Sequence, residues 1–298
     1  MAAVISRTIL TLFVSLMLWG NAAAQIPVRH GDVAEIRKNG EDTEVSAIQL
    51  RENPSIFVLT LPTLAEQGAM FNRVVALIER AGVSRDEVLS DAALDEYIRS
   101  VGRTPVTFTF GNDFRISELV KFFNLADRDG VTLTPQEAGL RDFITHNGLA
   151  RTRYGFLQVD FPDRIILSVP AIHSQDLGNG GAIRINHVAR DTILFHEIGH
   201  GEYYTNPWYA DYCRRFWGSM PERERSAFRK FLGGRSYDTG NEELMVNEMQ
   251  AYLMHTPPGP AITPEALGLS AAAIDALRQR FLAGNPPSGV PFPFARRK

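Results

Sequence analysis

The sequence predicts an α+β chain in which a small mixed sheet precedes a buried helix and a largely helical part follows. Three observations carry this. β-branched and aromatic runs, Ser55-Ile-Phe-Val-Leu-Thr-Leu61 and the stretch from Tyr154 to Pro170, lie in the first two thirds of the chain. From Val188 onward, apolar residues recur mostly at helical spacing. The 298 residues, 44% hydrophobic and 22% charged, suffice to bury a sizeable core.

Residues 32 to 61 read as short strands, the last ending at Pro62. The spacing of Met70, Val74, Leu77 and Ile78 predicts a helix over 66–81 stopped by Gly82, and a second follows over 86–101. Thr104-Pro-Val-Thr-Phe-Thr-Phe110 alternates as a strand, and 117–125 returns to helix. Asp127-Arg-Asp129-Gly130 has only half the oxygens of a calcium loop, because alignment on Gly130 puts Leu125 and Gln136 at ligand positions, so it reads as a helix-ending turn. Tyr154 to Pro170 predicts two strands joined at Pro162-Asp163, and Gly178-Asn-Gly-Gly181 a connection into Ala182-Ile-Arg-Ile-Asn186. Helices are expected over 188–201 and 242–255, the second with Thr239-Gly-Asn-Glu242 as a capping box. An aromatic, charged stretch between them is expected to be helical in two pieces broken near Pro221.

Arg7, the apolar run Ile9 to Trp19 and Asn21-Ala-Ala-Ala24 before Gln25 read as a signal peptide over 1–24, giving an exported chain, periplasmic or secreted. That run is too short to span a bilayer comfortably, so no stable membrane insertion is expected. The formal net charge of -3 offers no overall basic field for nucleic acid. Cys213 is the only cysteine, which excludes an internal disulfide and a cysteine metal cluster; it reads as a buried small apolar residue. Residues 25–150 form an α+β region, either a separate domain or part of one unit with 151–285, and 286–298 is a Pro-rich basic tail.

The chemistry concentrates in Thr192-Ile-Leu-Phe-His196-Glu197-Ile-Gly-His200. Residues four apart on a helix differ by about 40° around its axis, so His196 and His200 face one way and two imidazole nitrogens can hold one zinc ion. Glu197 sits on the shoulder of that face, placed to act as general base toward a water at the metal. Ile193, Leu194 and Phe195 indicate a buried helix, where two histidines and a glutamate need partners.

A catalytic zinc needs a third protein ligand. Tyr203 and Asn206 stand where a longer histidine-rich motif would need Gly and His, which excludes the metzincin extension. Glu248 is the strongest candidate, an isolated carboxylate on a helix face with Leu244, Met245, Ala251 and Tyr252. Asp211 is an alternative ligand. His255 and Tyr252, near the same face as Glu248, are candidate catalytic donors to an oxyanion, with Tyr203, Tyr204 and Tyr237 in competition.

His196-Glu-Ile-Gly-His200 followed by Asn247-Glu248-Met-Gln-Ala251 resembles the gluzincin group of zinc metallopeptidases. The resemblance covers residues 188 to 255. It implies a zincin-like fold, one Zn2+ per chain held by His196, His200 and Glu248, Glu197 as general base, and a peptide or protein as substrate. Tyr252 departs from members that carry Asp at that position to orient a zinc histidine, leaving Asp211, Glu202 or a backbone carbonyl for that task. Ala182–Asn186 or Arg164–Val169 could supply an edge strand for an extended peptide. A zinc hydrolase of a non-peptide amide and a non-catalytic binding protein with a structural zinc are the competing readings.

Overall fold

The computed structural model describes residues 25–177, 180–257 and 259–293. The expected signal peptide, residues 1–24, and the last five residues of the expected tail lie outside the described residues.

β1 (Val28–Gly31) leads into α1 (Val33–Lys38), a helix in a region expected to be all strand. Asp32 and Glu35 make a reciprocal capping box there, which holds this short helix. β2 (Ser46–Leu50) and β3 (Ile56–Leu61) follow as expected, then α2 (Leu64–Glu79), capped by Thr63. α3 (Asp91–Ser100) begins later than its apolar spacing suggests, because the Ser90 side chain caps it.

The strand expected over 104–110 does not form. Pro105 sits in a turn in which the Thr107 amide donates to the Thr104 carbonyl at 3.0 Å and the two hydroxyls meet at 3.0 Å, so the local threonine bonds replace a ladder. The strand lies just beyond, as β4 (Asn112–Arg115). α4 (Ile116–Asp129) ends on left-handed Gly130, so the Asp127–Gly130 stretch is the helix-ending turn, with Asp127 paired to Arg141. α5 (Pro135–His146) has no expected counterpart, although Thr134, Pro135 and Glu137 give it a capping box and a proline start.

β5 (Ala150–Arg153) pairs with β6 (Phe156–Val159) in a small hairpin, whereas β7 (Ile165–Pro170) enters the main sheet. The two strands expected within 154–170 therefore exist but do not pair with each other. β8 (His173–Asp176) and β9 (Ala182–Ile185) form a second hairpin.

The main sheet is mixed, in the order β1-β2-β3-β7-β4. Every residue of β3 and of β7 is buried, as expected of parallel neighbours covered on both faces. Arg164–Val169 is thus interior and offers no edge; the terminal strand on that side is β4, antiparallel to β7 with Asn112 opposite Ser168. One face of the sheet packs Phe57, Leu59 and Ile166 against α2, α4 and α5. The other packs Ile56, Val58 and Leu167 against Leu194 and Ile198 of α6 (His187–Thr205). Each of these two residues contributes roughly 1.5–3 kcal/mol by burial, so the sheet fixes the rotation of α6.

α7 (Pro207–Ser219) and α8 (Glu222–Gly233) confirm the break near Pro221, and Cys213 is buried. α9 (Glu242–Gln250) continues through a wider π turn over Ala251–His255. Its cap is Asn241, accepting from the Leu244 amide, so the Thr239 box is not made. α10 (Pro264–Leu267) and α11 (Ala271–Ala283) complete a helical layer whose core runs from Tyr209 and Phe216 to Met249 and Phe281. The chain is a mixed α+β protein, about half helical, with a small mixed sheet that takes strands from both sides of residue 150. Among the described residues no helix is long and apolar enough to cross a membrane.

Candidate metal centre

α6 presents His196 and His200 on one side, with their Nε2 atoms 3.1 Å apart. Glu248, on α9, brings Oε2 to 3.7 Å from His196 Nε2 and Oε1 to 3.7 Å from His200 Nε2. α6 and the π turn after α9 approach closely because residue 199 is glycine: a Cβ there would lie 2.8 Å from the His255 ring. Any side chain at 199 would push the Glu248 helix away from the histidines.

The three donors suit a divalent cation. A tetrahedral zinc with bonds of about 2.0–2.2 Å sets ligand–ligand edges of roughly 3.3–3.6 Å, and the separations of 3.1, 3.7 and 3.7 Å bracket them. Glu248 Oε2, Glu197 Oε2 and His200 Nδ1 are buried without hydrogen-bond partners among the described residues, an arrangement that is expensive unless something else pairs the acids. Among the described residues, the ligand atoms of His196, His200 and Glu248 lie within 4.8 Å of one another.

Thr256 completes the support of His196. Its hydroxyl donates to the Ala251 carbonyl at 3.0 Å, so the 2.9 Å contact with His196 must have Nδ1–H donating to Thr256 Oγ1. That tautomer leaves the Nε2 lone pair toward Glu248 and His200, as a metal ligand requires. The π turn is what brings Thr256 there, with its amide bonded to the Ala251 carbonyl five residues back. Asp211 and Glu202 do not serve: Asp211 pairs with Arg214 on an exposed face, and Glu202 accepts from Asn53, Asn206 and the Gly289 amide. Asp211 is accordingly not brought to the histidines as a ligand either.

Burial drives every titratable group here toward its neutral form. It pushes Glu248 well above the carboxylate range, with Glu79 adding to the shift, and does the same to Glu197, helped by Glu248. It draws His200 down to about 4 and His196 well below its ordinary value, the latter also through His200. Neutral imidazoles with free lone pairs are ready ligands, and a cation would reverse the bias on the acids.

His196, Glu197, His200 and Glu248 open onto a cleft of about 620 Å³. Tyr252 lines it with its ring 4.5 Å from the His196 ring, and Tyr237 stands beside it. His255 does not reach the cleft. It is fully buried behind Gly199, with Nε2 3.1 Å from the Tyr209 hydroxyl, because the π turn rotates it off the Glu248 face. Tyr203 and Tyr204 border a separate 370 Å³ cavity on the far side of Glu248, Tyr203 donating to Glu243. Of the Ala182–Asn186 stretch, Ile183, Arg184, Ile185 and Asn186 line the cleft, the first three on β9, within its hairpin rather than at the main sheet's edge.

Asp113 and Gly111 were not foreseen. Asp113, on β4, lies 4.0 Å from His200 and groups with Glu197 and His200. A Cβ at Gly111 would overlap the Glu197 carboxylate, so the backbone leading into β4 lies directly against that acid. Asn112-Asp-Phe-Arg has little strand character, and only its pairing with β7 delivers it to the site.

No family model matches the chain, and no match is found among curated proteins or solved structures.

Proposed function

We propose that the protein is a zinc-dependent peptidase with a zincin-like catalytic region, in which His196, His200 and Glu248 hold one zinc ion and Glu197 is the general base. The observation that carries this reading is the convergence of three ligand atoms beside a free Glu197 carboxylate oxygen in an open cleft. A structural zinc would take all four ligands from protein, whereas three ligands facing a cleft favour catalysis.

Zinc, when bound, polarises a carbonyl and lowers the pKa of a water to about 7. Glu197, unpartnered at Oε2, accepts the proton given up by the attacking water and delivers it to the departing amine nitrogen. Gly111 packs its backbone against the Glu197 carboxylate, and Asp113 stands beside it. Tyr252, whose phenol burial keeps protonated, donates to the carbonyl oxygen as it gains negative charge, with Tyr237 as its neighbour. Thr256 holds the His196 ring in the required tautomer. Export rests on the 1–24 segment, and an intact mass beginning at Gln25 would support it.

Glu197→Gln is the test. Hydrolysis of a peptide library is expected to fall by on the order of 10²–10⁴-fold while zinc content is unchanged, and undiminished hydrolysis would reject the mechanism. Turnover confined to non-peptide amides would move the substrate class and leave the chemistry in place.

A further inference from the structure

Arg80 follows directly on α2, and its backbone pairs antiparallel with Tyr237. The Ala81 amide to the Ser236 carbonyl and the Asp238 amide to the Glu79 carbonyl, both 3.4 Å, flank that bridge. The bridge sets Arg80 and Arg235 in the lining of the same cleft that holds His196, Glu197 and Glu248.

Arg80 is only 6% exposed. Its guanidinium lies 4.9 Å from the Tyr237 ring centre and 5.1 Å from that of Phe108. Among the described residues it makes one hydrogen bond, a 3.5 Å contact from Nη1 to the Arg235 carbonyl, and Nε has no partner. Arg235 is held in a similar way, 3.6 Å from the centre of the Phe231 ring, with donors at 3.2 and 3.3 Å to the Phe231 and Ala261 carbonyls. Among the described residues neither forms an ion pair, whereas Arg73, Arg141 and Arg214 each grip a carboxylate. Glu79 and Glu248 act on Arg80 only through space.

A guanidinium fixed by ring faces keeps its in-plane N–H fork for a planar anion, and stacking spends none of those donors. Two such groups in one cleft, one of them more than nine-tenths buried with a free Nε, make a built recognition site for a carboxylate.

We propose that Arg80 and Arg235 form an anion subsite that takes a carboxylate of the substrate, either an acidic side chain near the scissile bond or the chain's own C-terminal carboxylate. This rests on reading the cleft as a peptidase site and adds the substrate class to that reading.

The test measures binding of short alanine peptides to zinc-supplemented full-length Glu197→Gln protein. Three peptides are compared: one with a free C-terminus, its C-terminal amide, and the amide with one alanine replaced by glutamate. At least one carboxylate peptide is expected to bind on the order of tenfold more tightly than the neutral amide, and which one does so identifies the source of the anion. Arg235→Gln and Arg80→Gln, added to that background, are expected to erase the preference while leaving affinity for the neutral peptide unchanged. Thermal melts check the fold of the Arg80 variant, and Arg235, less deeply buried, gives an independent readout. Equal binding of all three peptides, or a preference that survives both substitutions, would overturn the subsite. Cleavage of peptides by wild type without carboxylate preference would reject the subsite and keep the hydrolase; preference through these arginines with no cleavage would do the reverse.

Discussion

Two buried charged clusters lie on opposite faces of the sheet, and they are built to opposite rules. Between α2 and α5, Arg73 Nε meets Glu137 at 2.9 Å, Arg73 Nη2 donates to the Thr132 carbonyl at 3.3 Å, and Glu137 also accepts from the Thr134 amide at 2.8 Å. Charge and hydrogen-bonding capacity are used up inside the protein. Beyond the other face, His196, His200 and Glu248 come within 3.1–3.7 Å of one another and still leave Glu248 Oε2, Glu197 Oε2 and His200 Nδ1 unpartnered. A closed cluster contributes to the fold, whereas an open one beside a cleft is the arrangement typical of a functional site.

The contrast can be broken from either side, and the loss of turnover in Glu197→Gln is the largest effect expected. Next is Arg73→Met, which strands the Glu137 carboxylate and is expected to lower stability in urea titrations by about 3–5 kcal/mol, with zinc binding by the folded protein unchanged. Loss of zinc binding in the folded variant would show that the two clusters are not independent.

Thr256→Val removes the acceptor of the His196 Nδ1–H and is expected to weaken zinc about 10–100-fold. A competition titration against a chelator measures it, and unaltered affinity would mean that the threonine does not orient the ring.

The smallest effect concerns Glu79, which burial raises from 4.5 to about 7. Its folded value exceeds the unfolded one, so its contribution is fully present below about pH 4.5 and is lost as pH rises through 7. Over that range the metal-free wild type is expected to lose about 2–3 kcal/mol relative to Glu79→Gln. Parallel stability profiles for the two proteins would contradict this.

The legible parts of the molecule were those decided by local periodicity. The spacing of His196 and His200, and the apolar neighbours of Glu248, depend on helix geometry alone, and both helices formed where that geometry placed them. Asp113 was hidden because β4 owes its existence to β7, more than fifty positions along the chain. The Thr/Phe alternation at 104–110 was misleading, since threonine hydroxyls closed a turn before any ladder could form. His255 and Thr256 exchanged prospects for one reason: the π turn inserts a register shift that no α-helical projection contains, turning His255 into the core and Thr256 toward His196. Arg80 carries no local signal, because it follows a helix end and gains its place through a backbone bridge to Tyr237.

We propose that the open cluster is a three-ligand zinc site whose third ligand comes from α9. Metal analysis of wild type beside Glu248→Ala, after dialysis against a weak chelator, is the decisive test. About one zinc per chain in wild type and its loss in a folded Glu248→Ala protein is the result this structure leads us to expect; equally tight zinc in both, or none in wild type, would contradict it.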